Sequence, residues 1–524
     1  MHYTIAPHRT QHWDLSKPSA KGRRGMVVAQ AKSAAEAGVA VLDDGGNAVD
    51  AAVATALALA TVEPWNSGLG GIGFALVHRT GEARADVVDF GPMAPRALNP
   101  HSFKLTGRHT PNQFNWPEVE GDSNIHGPLS PAIPAAVAGY ELMHRRWGKL
   151  PVRDVIAPAV ALARRGLPAD WFTTLKISNA AATLRCYPES ARIYLPDGLP
   201  PAAPYQGVPG FLPQGQLAET MARLQQAGLR DFYEGEIAAA IAADIAGMGG
   251  ALSASDLAQC QARTMKATEI VWRGRSLQMA GGLTASPTMA RVLRQLASAR
   301  FGAAPDAGWF VSLARAMKQA YAERLAGLGE ADPLAAETCT THLSVCDAEG
   351  NMVAMTTTLM SSMGSRLVLP GSGVLMNNGM IWFDPRPGQP NSIAPGKRPL
   401  TNMSPIILQE GGRPWLAAGA SGGRRIMASV LQVMSFVADF AMTPEEAAHY
   451  PRIDVSSPDA VSADARLPEN VLAALAADGP TEVVEHSILP VNFACPNMIV
   501  QNADGMRIGI SDVVSPWSAA VAQK

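Results

Sequence analysis

Residues 339–359 read CTTHLSVCDAEGNMVAMTTTL, two β-prone runs on either side of Asp347-Ala348-Glu349-Gly350-Asn351. Valine and threonine suit the pleated sheet, whereas Asp, Gly and Asn suit a tight turn. The segment therefore predicts a hairpin with strands at Thr341–Cys346 and Met352–Leu359. A pairing centred on Glu349 sets Thr340 opposite Thr358 and brings two hydroxyls together. A Thr-Thr-Thr run by itself is explained by β-propensity. Its chemical reading depends on the segments around it.

Upstream, Met26–Ala29 predicts a short strand and Ser33–Leu42 an Ala-rich helix that stops at Asp43-Asp44-Gly45-Gly46, where glycine can take a left-handed cap. A second helix is predicted over Asn47–Thr61 and a strand over Ile72–His78, with the glycine-rich Ser67–Gly73 at their junction. That junction contains GxGxxG. A dinucleotide fingerprint has a strand before its glycines and a helix after them, so that the pyrophosphate rests on the helix N-terminus. The order here is reversed, which leaves a tight turn that lets helix and sheet pack closely.

Three-to-four spacing of apolar residues predicts helices over Ala135–Arg146, Val152–Arg165, Gln216–Gln226, Gly235–Met248 and Met289–Ala299, and Ser253–Leu257 reads as a capped helix start. These segments read as scaffold. From residue 340 the texture changes to short strands, among them Pro405–Gln409, Met498–Gln501 and Met506–Ser511. The shift near 339/340 is the one boundary the composition marks. A strand over Trp415–Ser421 and an amphipathic helix over Arg424–Phe440 flank Gly422-Gly423. Glycines at a helix start can turn unpaired N–H groups toward a negative charge, although a plain strand-to-helix turn would read the same.

Across 524 residues, 43 Lys+Arg against 45 Asp+Glu give a formal net charge of −2, which argues against nucleic acid or an anionic membrane as partner. A hydrophobic share of 47% with 17% charged residues supplies a large core. Length alone allows about three domains or one interleaved unit. Five widely spaced cysteines without a CxxC pair point to neither a disulfide framework nor a zinc site. The first thirty residues carry no apolar stretch of the secretory kind, and the longest Ala/Val/Leu run, Ala51–Val62, falls short of a membrane span, so the expectation is a soluble cytoplasmic protein. His342 and His126 stand alone, without a carboxylate or second histidine at ligand spacing, and read as structural. No metal or cofactor is predicted.

Taken in order, CTTHLSVCDAEGNMVAMTTTL, AAEAGVAVLDDGGNAVDAAVATALAL, VEPWNSGLGGIGF, DFGPMAP, FYEGEIAAAI, GVLMNN, GKRPLTNMSP and ASGGRRI resemble the gamma-glutamyltranspeptidase family of N-terminal nucleophile hydrolases, from about Met26 to beyond Ser511. The resemblance implies an α+β fold, a four-layer αββα sandwich in which a large chain, 1–339, and a small chain, 340–524, interleave as one unit. It also implies self-cleavage, the Thr340 hydroxyl attacking the carbonyl of Cys339. Thr340 would then hold both a nucleophile and an α-amine, whose ordinary pKa of about 7.7–8.0 suits a base at neutral pH. Thr358 matches the family's partner threonine, and Gly422 and Gly423 match its oxyanion glycines.

The specificity positions depart from the family. Gly91, Met360, Gly379 and Trp382 stand where the transpeptidases carry an arginine, an Asn, an acidic or amide residue and an Asp that hold a glutamyl head; Asn378 belongs to the preserved Asn-Asn pair, and Thr401-Asn402 replace a serine pair. Each lost hydrogen bond to a charged group weakens binding by about 1.5–3 kcal/mol. Trp382 adds bulk, and Arg424, ahead of the matching Arg425, either offers a guanidinium to a substrate carboxylate or is a solvated first-turn arginine. Among members of the family, the chain is most similar to those that hydrolyse oxamate to oxalate and ammonia in bacterial purine and ureide breakdown. The alternatives are a gamma-glutamyl hydrolase, transpeptidase or acylase on larger amides, and an uncleaved binding protein on a dead hydrolase fold. The partners expected are a small amide and the precursor's own two chains; the oligomeric state, a homo-oligomer included, stays open.

Overall fold

The hairpin forms in the register centred on Glu349. In the computed structural model, which describes residues 14–109, 116–328, 339–457 and 460–524, Thr341 pairs with Thr357, His342 with Thr356 and Cys346 with Met352. A bulge between Cys339 and Thr341 interrupts the regular ladder at Thr340.

Two seven-stranded sheets share the core. In chain order their strands are β1 (Ala20–Gly22), β2 (Met26–Ala29), β3 (Ile72–His78), β4 (Asp86–Phe90), β5 (Arg263–Lys266), β6 (Thr268–Trp272) and β7 (Arg275–Met279). They continue with β8 (Cys339–Cys346), β9 (Met352–Met360), β10 (Ile406–Glu410), β11 (Arg413–Ser421), β12 (Cys495–Gln501), β13 (Arg507–Ser511) and β14 (Ala519–Ala522). One sheet has the order β14-β2-β8-β9-β3-β4-β5 and the other β1-β13-β12-β11-β10-β7-β6. Both sheets combine segments from before and after residue 340, so neither part builds a sheet alone.

Alternation along the strands explains the layering. Ile407, Ala417 and Ile499 face the first sheet and join its core, while their neighbours Ile406, Leu408, Leu416, Ala418, Met498 and Val500 join a second core under the opposite helices. Helices α1 (Lys32–Asp43) and α2 (Ala48–Val62) cover the first sheet, whereas Ser286–Leu296 and the later Ile426–Ala438 cover the second. The result is the four-layer αββα sandwich.

Helix α2 is buried on every side. Asn47 caps it in a capping box with Asp50, and the hairpin turn reaches it as well, Asp347 Oδ2 accepting the Ala48 N–H at 3.0 Å. The turn after it sits against β9. There a Cβ on Gly70 would stand 2.3 Å from Leu375 O, and one on Gly73 2.3 Å from Thr356 O.

Elsewhere the fold departs from the predicted pattern. Strands β5 to β7 lie in the part read as mostly helical; each is only four or five residues long, β5 and most of β6 are exposed, and β7 buries Leu277, Gln278 and Met279. Helices also form over Trp171–Leu184, capped by Asp170, and Ala307–Leu328, where none is predicted. The helix expected from Arg424 begins instead with a 3-10 turn, Gly423–Arg425, and runs Ile426–Ala438.

Close backbone approach at the glycine turn is testable. Gly73→Ala forces a methyl against Thr356 O and the Phe90 ring, 2.5 Å away. Overpacking of this kind costs about 1–3 kcal/mol, read as a lower thermal midpoint of the full chain; an unchanged midpoint contradicts the packing described.

Candidate active site

Three adjacent threonines on β9 have three different tasks. Thr356 Oγ1 shares a hydrogen bond with His342 Nδ1 at 2.9 Å, and Thr357 Oγ1 donates to Ile72 O at 3.2 Å beside the Tyr140 hydroxyl. Thr358 Oγ1 accepts the Met360 N–H at 2.8 Å and the Thr340 hydroxyl at 3.4 Å. The last distance is long for a hydroxyl pair, as nucleophile contacts are before substrate binds. Both threonines are buried.

The chain beyond β9 is tightly bound. Asn66 O accepts the Leu359 N–H at 2.9 Å, and Asn378 accepts from Ser361 N while donating to Ser361 Oγ and Ile125 O. Met360, Met363 and Arg366 all hold positive φ, a conformation non-glycine residues adopt only under such constraint.

Thr340 opens onto a cavity of about 280 Å³ whose wall includes Ser421, Gly422 and Arg425. Gly422 has φ +134°, and a Cβ there would stand 2.7 Å from Ala494 Cα, so only glycine fits at this strand-to-helix corner. The corner faces the positive end of the helix that follows. Arg425 Nη1 is held by Val491 O at 2.8 Å.

The remaining predicted residues stand outside that wall. Asn378 braces the loop after β9. Trp382 is packed in the main core with its indole N–H unpartnered, and the Thr401 hydroxyl is likewise buried without a partner. Thr401 O accepts from Arg324 Nη2 at 2.7 Å, and Asn402 is buried. Arg424 lies beside Tyr321 and Arg324; burial pulls its pKa, and that of Arg324, down to about 10.

Glu63, the C-cap of α2, lines the cavity and is absent from the sequence reading. Its Oε1 accepts from Asn66 Nδ2 at 2.6 Å, and the Thr341 hydroxyl lies beside the buried carboxyl. Burial pushes its pKa up to about 7, with Thr341, Asn66 and Lys176 pulling the other way. The sequence signal was a carboxylate at a helix C-terminus, where the dipole disfavours it.

Other titratable groups are quieter. His342 is fully buried and held neutral, its pKa down at about 3, with both ring nitrogens bonded to Thr356 and Ser344. His126 bonds the Tyr187 hydroxyl at 2.6 Å. Cys495 lines the cavity, but burial pushes its thiol up to about 12 and keeps it protonated. Among the described residues, no group of three or more His, Cys, Asp or Glu could hold a metal ion, and no helix is long and apolar enough to cross a membrane.

The gamma-glutamyltranspeptidase family model matches residues 34–338 and 331–522. The chain belongs to the gamma-glutamyltranspeptidase family. It is 30% identical, over 97% of its length and 95% of the relative's, to the acylase ACY 1 proenzyme of Pseudomonas sp. (strain SE83). It is 29% identical, over 94% of its length and 90% of the relative's, to the glutathione hydrolase proenzyme of Escherichia coli (strain K12). The cephalosporin acylase from Bacillus halodurans shares the fold, with a TM-score of 0.85 at 23% identity, covering 99% of this chain and 100% of that one. This gamma-glutamyltranspeptidase family member is an amidohydrolase of the N-terminal nucleophile type.

Two expectations follow. Thr358→Val removes the hydroxyl that receives Thr340, and one neutral hydrogen bond of about 0.5–1.5 kcal/mol corresponds to roughly a two- to tenfold loss of kcat/KM; undiminished turnover would show that the contact does no orienting. Second, a carboxyl whose folded pKa lies above its ordinary 4.5 binds its proton more tightly when folded, so stability is highest below that value and falls until about pH 7. Glu63→Gln should abolish that loss, on the order of 3 kcal/mol, raising the melting temperature over the parent at pH 8 more than at pH 4.5.

Proposed function

We propose that the chain cuts itself between Cys339 and Thr340 and then uses Thr340 to hydrolyse a small, carboxylate-bearing amide, oxamate above all. The observation that carries this reading is the Thr340 hydroxyl set on Thr358 in one cavity with Gly422.

In cleavage, Oγ1 of Thr340 adds to the Cys339 carbonyl carbon, the C–N bond breaks, and the proton moves to the freed nitrogen. Water then hydrolyses the ester. The two chains stay together because both contribute strands to each sheet. The new α-amine takes the hydroxyl proton when Oγ1 attacks a substrate amide and returns it to the leaving nitrogen. Ammonia departs, water opens the acyl ester, and the acid is released. The N–H groups at the Gly422-Gly423 corner are the candidates for holding the oxyanion.

Support for a small anionic acyl group lies in what surrounds the missing glutamyl contacts. A Cβ on Gly91 would stand 2.7 Å from Arg398 Nη2, and Arg398 is already committed to both oxygens of Asp89. A Cβ on Gly379 would stand 2.4 Å from Ala132 Cβ. Neither position has room for the longer polar side chain a glutamyl head requires. Lys176 and Arg425 line the cavity and supply positive charge for a carboxylate.

An acylase acting on a larger amide is the second reading. Phe172, Ile488, Leu489 and Val491 in the cavity wall favour it, since they offer apolar contact beyond what an oxalyl group uses.

Denaturing electrophoresis tests the first step: two bands from the parent and one from Thr340→Ala are expected, and an active parent that stays intact overturns the mechanism. Ammonia release from oxamate, set against turnover of a gamma-glutamyl anilide and a glutaryl amide, then decides the acyl group. Turnover of the glutaryl amide alone would move the assignment to the acylase reading.

A further inference from the structure

The threonine pair and the glycine corner belong to different sheets. Thr340 lies on β8 and Thr358 on β9 in the first, whereas Gly422 follows β11 in the second. A backbone donor stabilises an oxyanion when its N–H meets the new charge at hydrogen-bond length, so the two sheets must be held in register at this point. The corner does not set that register by itself: Gly422 and Gly423 hold φ of +134° and +61°, and glycine has the widest choice of backbone conformation. A chain of hydrogen bonds crosses between the sheets here. Gln30, one residue past β2, donates from Nε2 to Ser421 Oγ at the end of β11, immediately before Gly422. Asn66 Nδ2 donates to Gln30 Oε1 at 3.4 Å and to Glu63 Oε1 at 2.6 Å, while Asn66 O accepts the N–H of Leu359, next to Thr358, at 2.9 Å. Gln30, Asn66 and Ser421 are buried, and they line the same cavity as Thr340 and Gly422.

We infer that Gln30 is the positioning residue that sets the glycine corner against the Thr340 hydroxyl. This rests on the reading of Thr340 as the acyl-forming nucleophile and of the corner as its oxyanion donor. In the step concerned, Oγ1 bonds to the substrate's carbonyl carbon, the hydroxyl proton passes to the Thr340 α-amine, and the carbonyl electron pair moves onto the oxygen that the corner's N–H groups meet. Gln30 touches none of these atoms and acts through Ser421. Its amide suits the task because it is used at both ends: the carbonyl is fixed by Asn66, which also holds the backbone beside Thr358, and the NH2 fixes the residue beside Gly422. The side chain is neutral, so it braces the corner without a charge that would oppose the oxyanion.

The test is a double-variant cycle on the processed protein, read with oxamate or the glutaryl amide, whichever the parent turns over, and normalised to the amount of cleaved chain. Gln30→Met keeps the length of the side chain and removes the donor, and Ser421→Ala removes the acceptor. Each is expected to lower kcat about three- to tenfold with KM held within about twofold, because the oxyanion forms after binding. The double variant is expected to be slower than the slower single by no more than about twofold, since both changes break one contact. A residue that served the fold alone would lower the thermal midpoint and leave kcat of the processed protein where it was. Unchanged kcat, a rise in KM with kcat held, or losses that multiply in the double variant overturn the assignment of Gln30 alone. Should one single variant fail to process, the other carries the kcat-against-KM comparison; failure of both places the contact in the scaffold and overturns the assignment as well. A processed parent that hydrolyses neither amide overturns the Thr340 reading and this inference with it.

Discussion

The contact between the Thr340 and Thr358 hydroxyls exists in one strand register and no other. A slip of one residue along β8 would turn Thr340 to the opposite face of the sheet and bring its neighbour to the cavity. The turn prevents that slip. Asp347 Oδ1 accepts the N–H groups of Glu349 and Asn351, and its Oδ2 accepts from the Asn351 side chain and from Ala48, the first residue of α2. A single carboxylate thus closes the hairpin and anchors it to the buried helix, at the end where the helix dipole welcomes negative charge.

Helix α2 ties that turn to the cavity. Its N-terminus holds Asp50 and Asp347, both favourably placed, and its C-terminus holds Glu63, unfavourably placed. Between them lie residues with no exposed surface, so the helix has little freedom to shift either end. The glycine turn beyond it continues the constraint, because the absent side chains of Gly70 and Gly73 let the backbone of β3 and its approach lie directly on β9 and the segment at Leu375. The rigid parts thus hold Thr358 from behind while the cavity side of Thr340 stays open.

What could be read in the sequence was local. The hairpin, its register, α2 and the glycine turn follow from short-range periodicity and turn chemistry, and Gly422-Gly423 from a strand followed by a helix. The wall opposite Thr340 could not be read so, because Phe172 and Lys176 come from a helix whose weak apolar stripe gave no signal, and the segment from Ser487 to Asn492 has no regular structure. Glu63 was hidden for another reason: a carboxylate after an apolar helix is ordinary until tertiary burial removes its water. Trp382, Thr401 and Asn402 show the converse, since adjacency in a motif says nothing about which side of a packed loop a side chain takes.

Thr340 and Cys495 both line the cavity, and burial separates them as nucleophiles. Cys495 is the more reactive atom in principle, yet a thiol must ionise to attack, and its surroundings push that ionisation to about pH 12. No cation beside it offsets the burial: Lys176, Arg452 and Lys17 act on it more weakly than desolvation does. A threonine hydroxyl needs no standing charge. Its proton leaves as the new bond forms, toward an amine that cleavage would place on the same residue, so the low-dielectric wall that silences the thiol leaves the hydroxyl usable.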